Sequence, residues 1–130
     1  MEKTILAFTV SATNVEADED EETSMVFDGT PFVRALSVTI TNTGQQPVTI
    51  LEVKCRWSLI SKEEKEIQKE SRAWVRQKLG QGDHCFSYPH IYTRPTVINS
   101  AWAIDSTGKR WPVPPKLIEQ LNAKGPKQWH

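Results

Sequence analysis

Leu36-Ser37-Val38-Thr39-Ile40-Thr41-Asn42-Thr43-Gly44-Gln45-Gln46-Pro47-Val48-Thr49-Ile50, continued to Leu59, decides the fold of this chain. Leu36, Val38 and Ile40 alternate with Ser37, Thr39 and Thr41, a period of two in β-branched residues that marks a half-buried strand. Residues 42–47 carry turn chemistry. Leu51, Val53, Cys55, Trp57 and Leu59 then face one way, and Glu52, Lys54, Arg56 and Ser58 the other. Two long strands around a short Asn/Gly/Pro loop read as an antiparallel hairpin whose apolar faces cover one side of a sandwich.

Outward from this pair, Leu6, Phe8 and Val10 alternate with Ala7 and Thr9, giving a strand over residues 6–10. Residues 84–88 and 97–104 have strand composition, and Asp105-Ser106-Thr107-Gly108 reads as a hairpin turn into a last strand around residues 109–113. Leu117, Ile118 and Leu121, with Gly125 and Pro126 as stop signals, predict a short helix within a C-terminal segment of residues 115–130. Some seven strands at regular spacing define an all-β, antiparallel two-sheet sandwich with a short C-terminal helix. Leu36, Val38, Ile40, Leu51, Val53, Trp57 and Ile104 are the expected core faces.

Two segments are too charged for a core. Glu16, Asp18, Glu19, Asp20, Glu21 and Glu22 make residues 16–24 a solvated loop. Residues 61–72 have Ile67 as their only apolar member and read as a mobile connection.

The segment over residues 36–50, with Leu79-Gly80-Gln81-Gly82-Asp83 and residues 101–111, resembles small uncharacterised immunoglobulin-like β-sandwich proteins of bacteria and phages. That resemblance implies the strand, turn and hairpin pattern and carries no catalytic residue. It makes a phage or mobile-element inhibitor of a host complex the narrower functional expectation.

The 130 residues fit one domain, with 16 Lys and Arg balancing 16 Asp and Glu. No apolar run approaches a membrane span or a secretory leader, so a cytoplasmic protein is expected. Lys and Arg are spread along the chain without a reading motif, which argues against direct nucleic-acid binding.

Chemistry is sparse. Asp105-Ser106-Thr107-Gly108 has one residue too many for an aspartic-protease loop and suits a turn, with Asp105 capping amides and Gly108 at positive φ. His84, His90, His130, Cys55 and Cys85 lack metal-ligand spacing, and adjacent His84 and Cys85 point to opposite faces of a strand. The two cysteines are expected as buried free thiols, because the immunoglobulin Cys-Trp-Cys arrangement is not reproduced. No catalytic, cofactor-binding or metal-binding residue is assigned, and no enzyme activity is expected.

The five tryptophans are the remaining signal. Trp57 and Trp102 lie in apolar strands and are expected in the core, whereas Trp74, Trp111 and Trp129 stand beside basic residues. Trp/Arg mixtures are what interface hot spots are made of. The expected function is therefore protein binding through Trp74, Arg76, Arg110 and Trp111, with Glu19, Asp20, Glu21 and Glu22 contributing through the acidic loop. A self-associating structural subunit, a homo-oligomer, is the alternative.

Overall fold

The computed structural model of the chain describes residues 5–16, 25–27, 30–59, 68–92 and 94–124. Along the chain run β1 (Leu6–Glu16), β2 (Met25–Phe27), β3 (Thr30–Asn42), β4 (Val48–Leu59), β5 (Lys69–Leu79), β6 (His84–Ile91), β7 (Thr96–Asp105), β8 (Arg110–Pro112) and α1 (Pro115–Lys124). One antiparallel sheet is built on β3, which pairs with β1, β2 and β6; the other has the order β5-β4-β7-β8. The chain is an all-β two-sheet sandwich with one short C-terminal helix.

The expected β3–β4 hairpin does not form, because the two strands belong to different sheets. Each presents an unbroken apolar face: Leu36, Val38 and Ile40 on β3, and Val48, Ile50, Val53 and Cys55 on β4, all buried. Side by side in one sheet, these faces would both need another layer to cover them. Stacked face to face they cover each other and form the core.

Asn42 holds the crossing. Its fully buried side chain donates to the carbonyls of Gln46 and Leu79 and accepts from the Gly44 amide, at 2.9, 3.0 and 2.9 Å. The turn between β5 and β6 is tied to the same residue, with Asn42 N–H donating to Asp83 O and Gly82 N–H to Asn42 O. Gly82 has φ +82°, a conformation that favours glycine.

The register of β4 shifts between Ile50 and Glu52 against both neighbours: the extra residue lies on β4 in its pairing with β7, and on β5, between Trp74 and Gln77, in its pairing with β5. One extra residue reverses which side chains point inward. Val48 and Ile50 therefore share the core with Val53 and Cys55, while Leu51, expected in the core, is only half-buried. In β7, Ala101, Ala103 and Asp105 face inward, which places Trp102 and Ile104 on the outer face instead of in the core.

The expected connection over residues 61–72 is corrected in its last part: Lys69 to Arg72 begin β5, while residues 61–67 lie outside the described residues. This strand gives little apolar alternation because its inward positions are small, Ser71 and Ala73, and its outward ones are Glu70, Arg72 and Trp74. Pairing with β4 creates it. β1 is likewise longer than its pattern predicts, running to Glu16 against the full length of β3. The acidic stretch from residue 17 to residue 24 lies outside the described residues.

The hairpin between β7 and β8 forms as expected. Beyond the end of β8, α1 takes over: the Asn122 side chain accepts from Ile98 N–H at 3.0 Å and donates to Ile98 O at 2.8 Å, and Ile118 and Leu121 are buried. Among the described residues no helix is long and apolar enough to cross a membrane.

Candidate functional site: the outer face of the second sheet

Residues opposite one another in adjacent strands point to the same face of a sheet. One row across the second sheet is Trp74, Glu52, Ile104 and Arg110, on β5, β4, β7 and β8. The next is Arg72, Lys54, Trp102 and Pro112, and a third contains Glu70, Arg56 and Ser100. Side chains far apart in sequence thus form one surface, on the side away from the core.

Two indoles organise it. Trp74 is 55% exposed, with the Arg72 and Arg76 guanidiniums 4.5 and 4.8 Å from its ring centre. Arg72 precedes and Arg76 follows it by two residues, so the pair brackets the ring from either end. Arg76 takes φ 50°, left-handed for a non-glycine residue, where β5 has one residue more than β4 between Trp74 and Gln77. Trp102 is only 6% exposed because Arg56 and Arg110 lie over it, at 5.2 and 4.3 Å. Basic stems covering an indole bury it on the outside of a sheet as well as a core would.

Between the indoles runs an ion network. Glu52, buried among its partners, contacts Lys54 at 3.6 Å and Arg72 at 3.5 Å, and Glu70 contacts Lys54 at 3.5 Å and Arg56 at 3.6 Å. Lys54, Arg56, Arg72, Arg76 and Arg110 outnumber Glu52 and Glu70 on this face. A chain of zero net charge therefore presents a basic, Trp-containing surface, assembled by pairing where the sequence shows no basic stripe.

The candidate residues separate on this geometry. Trp74 and Arg76 are brought together. Arg110 and Trp111, adjacent in sequence, point to opposite sides of β8: Arg110 joins the outer face, whereas Trp111 packs against the core and donates to Asp105 Oδ2 at 2.9 Å. Glu19, Asp20, Glu21, Glu22, Trp129 and His130 lie outside the described residues. Sequence reading missed Arg56 and Trp102 as members of the surface. The alternation of β4 and β7 was the signal for them, but which face looked outward was decided by the bulge.

The titratable groups elsewhere read as structure. Asp105 Oδ1 accepts from Thr107 N–H, Thr107 Oγ1 and Lys109 N–H, and Gly108 takes φ +86°, as a turn cap requires. Burial raises the Asp105 carboxyl, but the bonds from Thr107, Trp111 and Lys109 outweigh it and hold the group below the usual range. An open cleft of about 530 Å³ beside this turn is lined by Lys78, Asp105, Thr107, Lys109 and Trp111 among others, and the Thr107 hydroxyl in it donates to Asp105 Oδ1 as part of the turn.

Cys55 and Cys85 are buried and free. Burial, only partly opposed by the Ser71 hydroxyl 3.3 Å away, pushes the Cys55 thiol up to about 11, so it is not a thiolate at neutral pH. Among the described residues no group of His, Cys, Asp or Glu is arranged to hold a metal ion.

His84 is exposed, whereas His90 is buried between Trp57 and Tyr92, with Nε2 3.0 Å from Thr96 Oγ1. Burial pushes the His90 imidazole down to about 4, because the neutral ring is favoured there. Its stabilisation is therefore complete above the unfolded value of about 6.5 and falls away as pH drops toward 4, by roughly 3 kcal/mol. Asp105 adds a loss only at lower pH, below about 4. Urea titrations at pH 7, 5.5 and 4 measure the first window, and His90→Phe is expected to remove most of it. A His90→Phe protein with the same loss would assign the acid sensitivity to another group.

No family model matches the chain, and no curated protein resembles it significantly. Among solved structures it is similar to a crystal structure with the provisional name ApaA, from Bordetella pertussis. That likeness has a TM-score of 0.47 and 18% identity over 85% of this chain and 87% of that one. It is also similar to an X-ray structure of a Northeast Structural Genomics Consortium target, with a TM-score of 0.47 and 9% identity over 83% and 80% of the respective chains.

Proposed function

We propose that this chain is a non-enzymatic protein-binding module whose working surface is the outer face of the second sheet. The observation that carries this reading is Trp74, more than half exposed and bracketed by two guanidiniums on β5. Trp and Arg are enriched in interface hot spots, Trp because it buries a large area with two torsions to freeze and Arg because its planar fork of donors loses little per hydrogen bond formed. A cytoplasmic setting belongs to the same proposal and is supported by the buried free thiols. The narrower reading, a phage or mobile-element protein acting on a host complex, rests on the sequence resemblance alone.

The test is calorimetry with a partner recovered from the native host. A Trp74→Ala, Arg76→Ala double variant is expected to lose at least about 2 kcal/mol of binding free energy. Cys85→Ser, inside the first sheet, is expected to bind unchanged. Unaffected binding by the double variant, or loss confined to Cys85→Ser, would rule out this surface.

A self-associating structural subunit is the second reading. It is favoured by Phe86 and Tyr88, 60% and 47% exposed on the outer face of the first sheet. Sedimentation at micromolar concentration separates them: a stable oligomer broken by Phe86→Ser supports self-association.

A further inference from the structure

The cations of the outer face are not equivalent. Lys54, Arg56 and Arg72 are engaged with Glu52 and Glu70. Among the described residues no carboxylate lies within ion-pair distance of Arg76 or Arg110. Each of these two is nonetheless held in place, Arg76 over Trp74 and Arg110 over Trp102. A guanidinium held over an indole has already given up much of its rotamer freedom. Little rotamer entropy is then left to lose when it takes a planar, two-oxygen acceptor.

We propose that this face takes a carboxylate-rich segment of a partner protein, with Arg76 and Arg110 as the two forks that grip its acidic side chains. The proposal rests on the protein-binding reading above and names the chemistry of the partner. Charge complementarity favours an acidic ligand. The neighbouring groups favour protein over nucleic acid for two reasons. Arg56 and Arg110 cover Trp102 and leave it 6% exposed, so it offers no face on which a base could stack, and Trp74 alone is no platform for successive bases. Glu52, on β4, also stands between the forks, in the path of a continuous phosphate backbone. A peptide can place a neutral residue over that carboxylate and acidic ones at the forks. Arg76 and Arg110 lie on the outer strands of the sheet, β5 and β8, three strand spacings across and two residues along the strand from each other, or about 16 Å, which an extended segment of about five residues crosses.

The experiment titrates the full chain into a fluorescent peptide of alternating Glu and Ser, with a Lys/Ser peptide and an oligothymidine as comparison probes. Saturable, salt-sensitive binding of the Glu/Ser peptide is expected, with weaker binding of oligothymidine and none of the Lys/Ser peptide. Arg76→Gln and Arg110→Gln are each expected to weaken binding by roughly tenfold. Arg76→Lys should recover only part of the affinity, because it restores the charge but not the fork. Both arginines are exposed, and circular dichroism checks that the variants fold.

Absence of peptide binding, equal binding by the Gln variants, or tighter binding of oligothymidine would overturn the proposal. If a recovered partner is lost with Trp74→Ala but kept by both Arg→Gln variants, this inference fails and the binding-face reading stands. If it is kept by all three, both fail.

Discussion

Val53→Asp is expected to abolish the folded state. Val53 is fully buried in the middle of β4, opposite Ala73 on β5 and Ala103 on β7, with its side chain in the core between the sheets. No cation of the second sheet can reach a carboxylate there, because Lys54, Arg56 and Arg72 project from the opposite face. An unpaired carboxylate at this position must either protonate or drag water into the core. Either costs several kcal/mol, against a total stability of about 5–15 kcal/mol for a domain of this size. Far-ultraviolet circular dichroism and a urea titration measure it. A cooperative transition near the wild-type midpoint would mean that the inward face of β4 has been misassigned. Leu51→Asp sharpens the comparison, because at the half-buried bulge the same chemistry is expected to leave a folded protein.

The second large effect is expected at Asn42. Asn42→Ala removes the side chain that satisfies Gln46 O, Leu79 O and Gly44 N–H together. Buried groups stripped of a partner cost about 1–3 kcal/mol apiece, so a loss of roughly 3 kcal/mol or more is expected, and a melting temperature lower by about 10 °C. Asn42→Asp should be no better: it keeps the acceptor for Gly44 but turns carboxylate oxygens toward two carbonyls. Calorimetric unfolding of both variants checks this. A loss below about 1 kcal/mol for Asn42→Ala would show that the crossing between the sheets is held by packing alone.

Asn42 also shows where local reading stops. Its position after a β-branched run and before Gly44 and Pro47 marks a chain reversal. Whether the reversal joins neighbours in one sheet or carries the chain across to the other depends on Leu79, 37 residues away, and on the turn at Gly82. The Trp/Arg neighbourhood rule found Trp74 with Arg76, because residues two apart on a strand share a face. It failed for Arg110 and Trp111, because adjacent residues do not.

What the sequence determined by itself is what short-range stereochemistry controls. The period-two runs of β3, β4 and β7, the Asp105–Gly108 turn and the Leu117-Ile118-Leu121 helix each follow from side-chain alternation, capping or spacing within about ten residues. The tertiary structure decided the division of β3 and β4 between sheets, the existence of β5, the reversal of facing at the β4 bulge and the assembly of the Trp/Arg surface. All four depend on hydrogen-bond partners distant in sequence. A strand with small inward residues and charged outward ones has no signature of its own and exists only when another strand supplies the ladder. Which of its faces meets water is then fixed by the layer that packs against it.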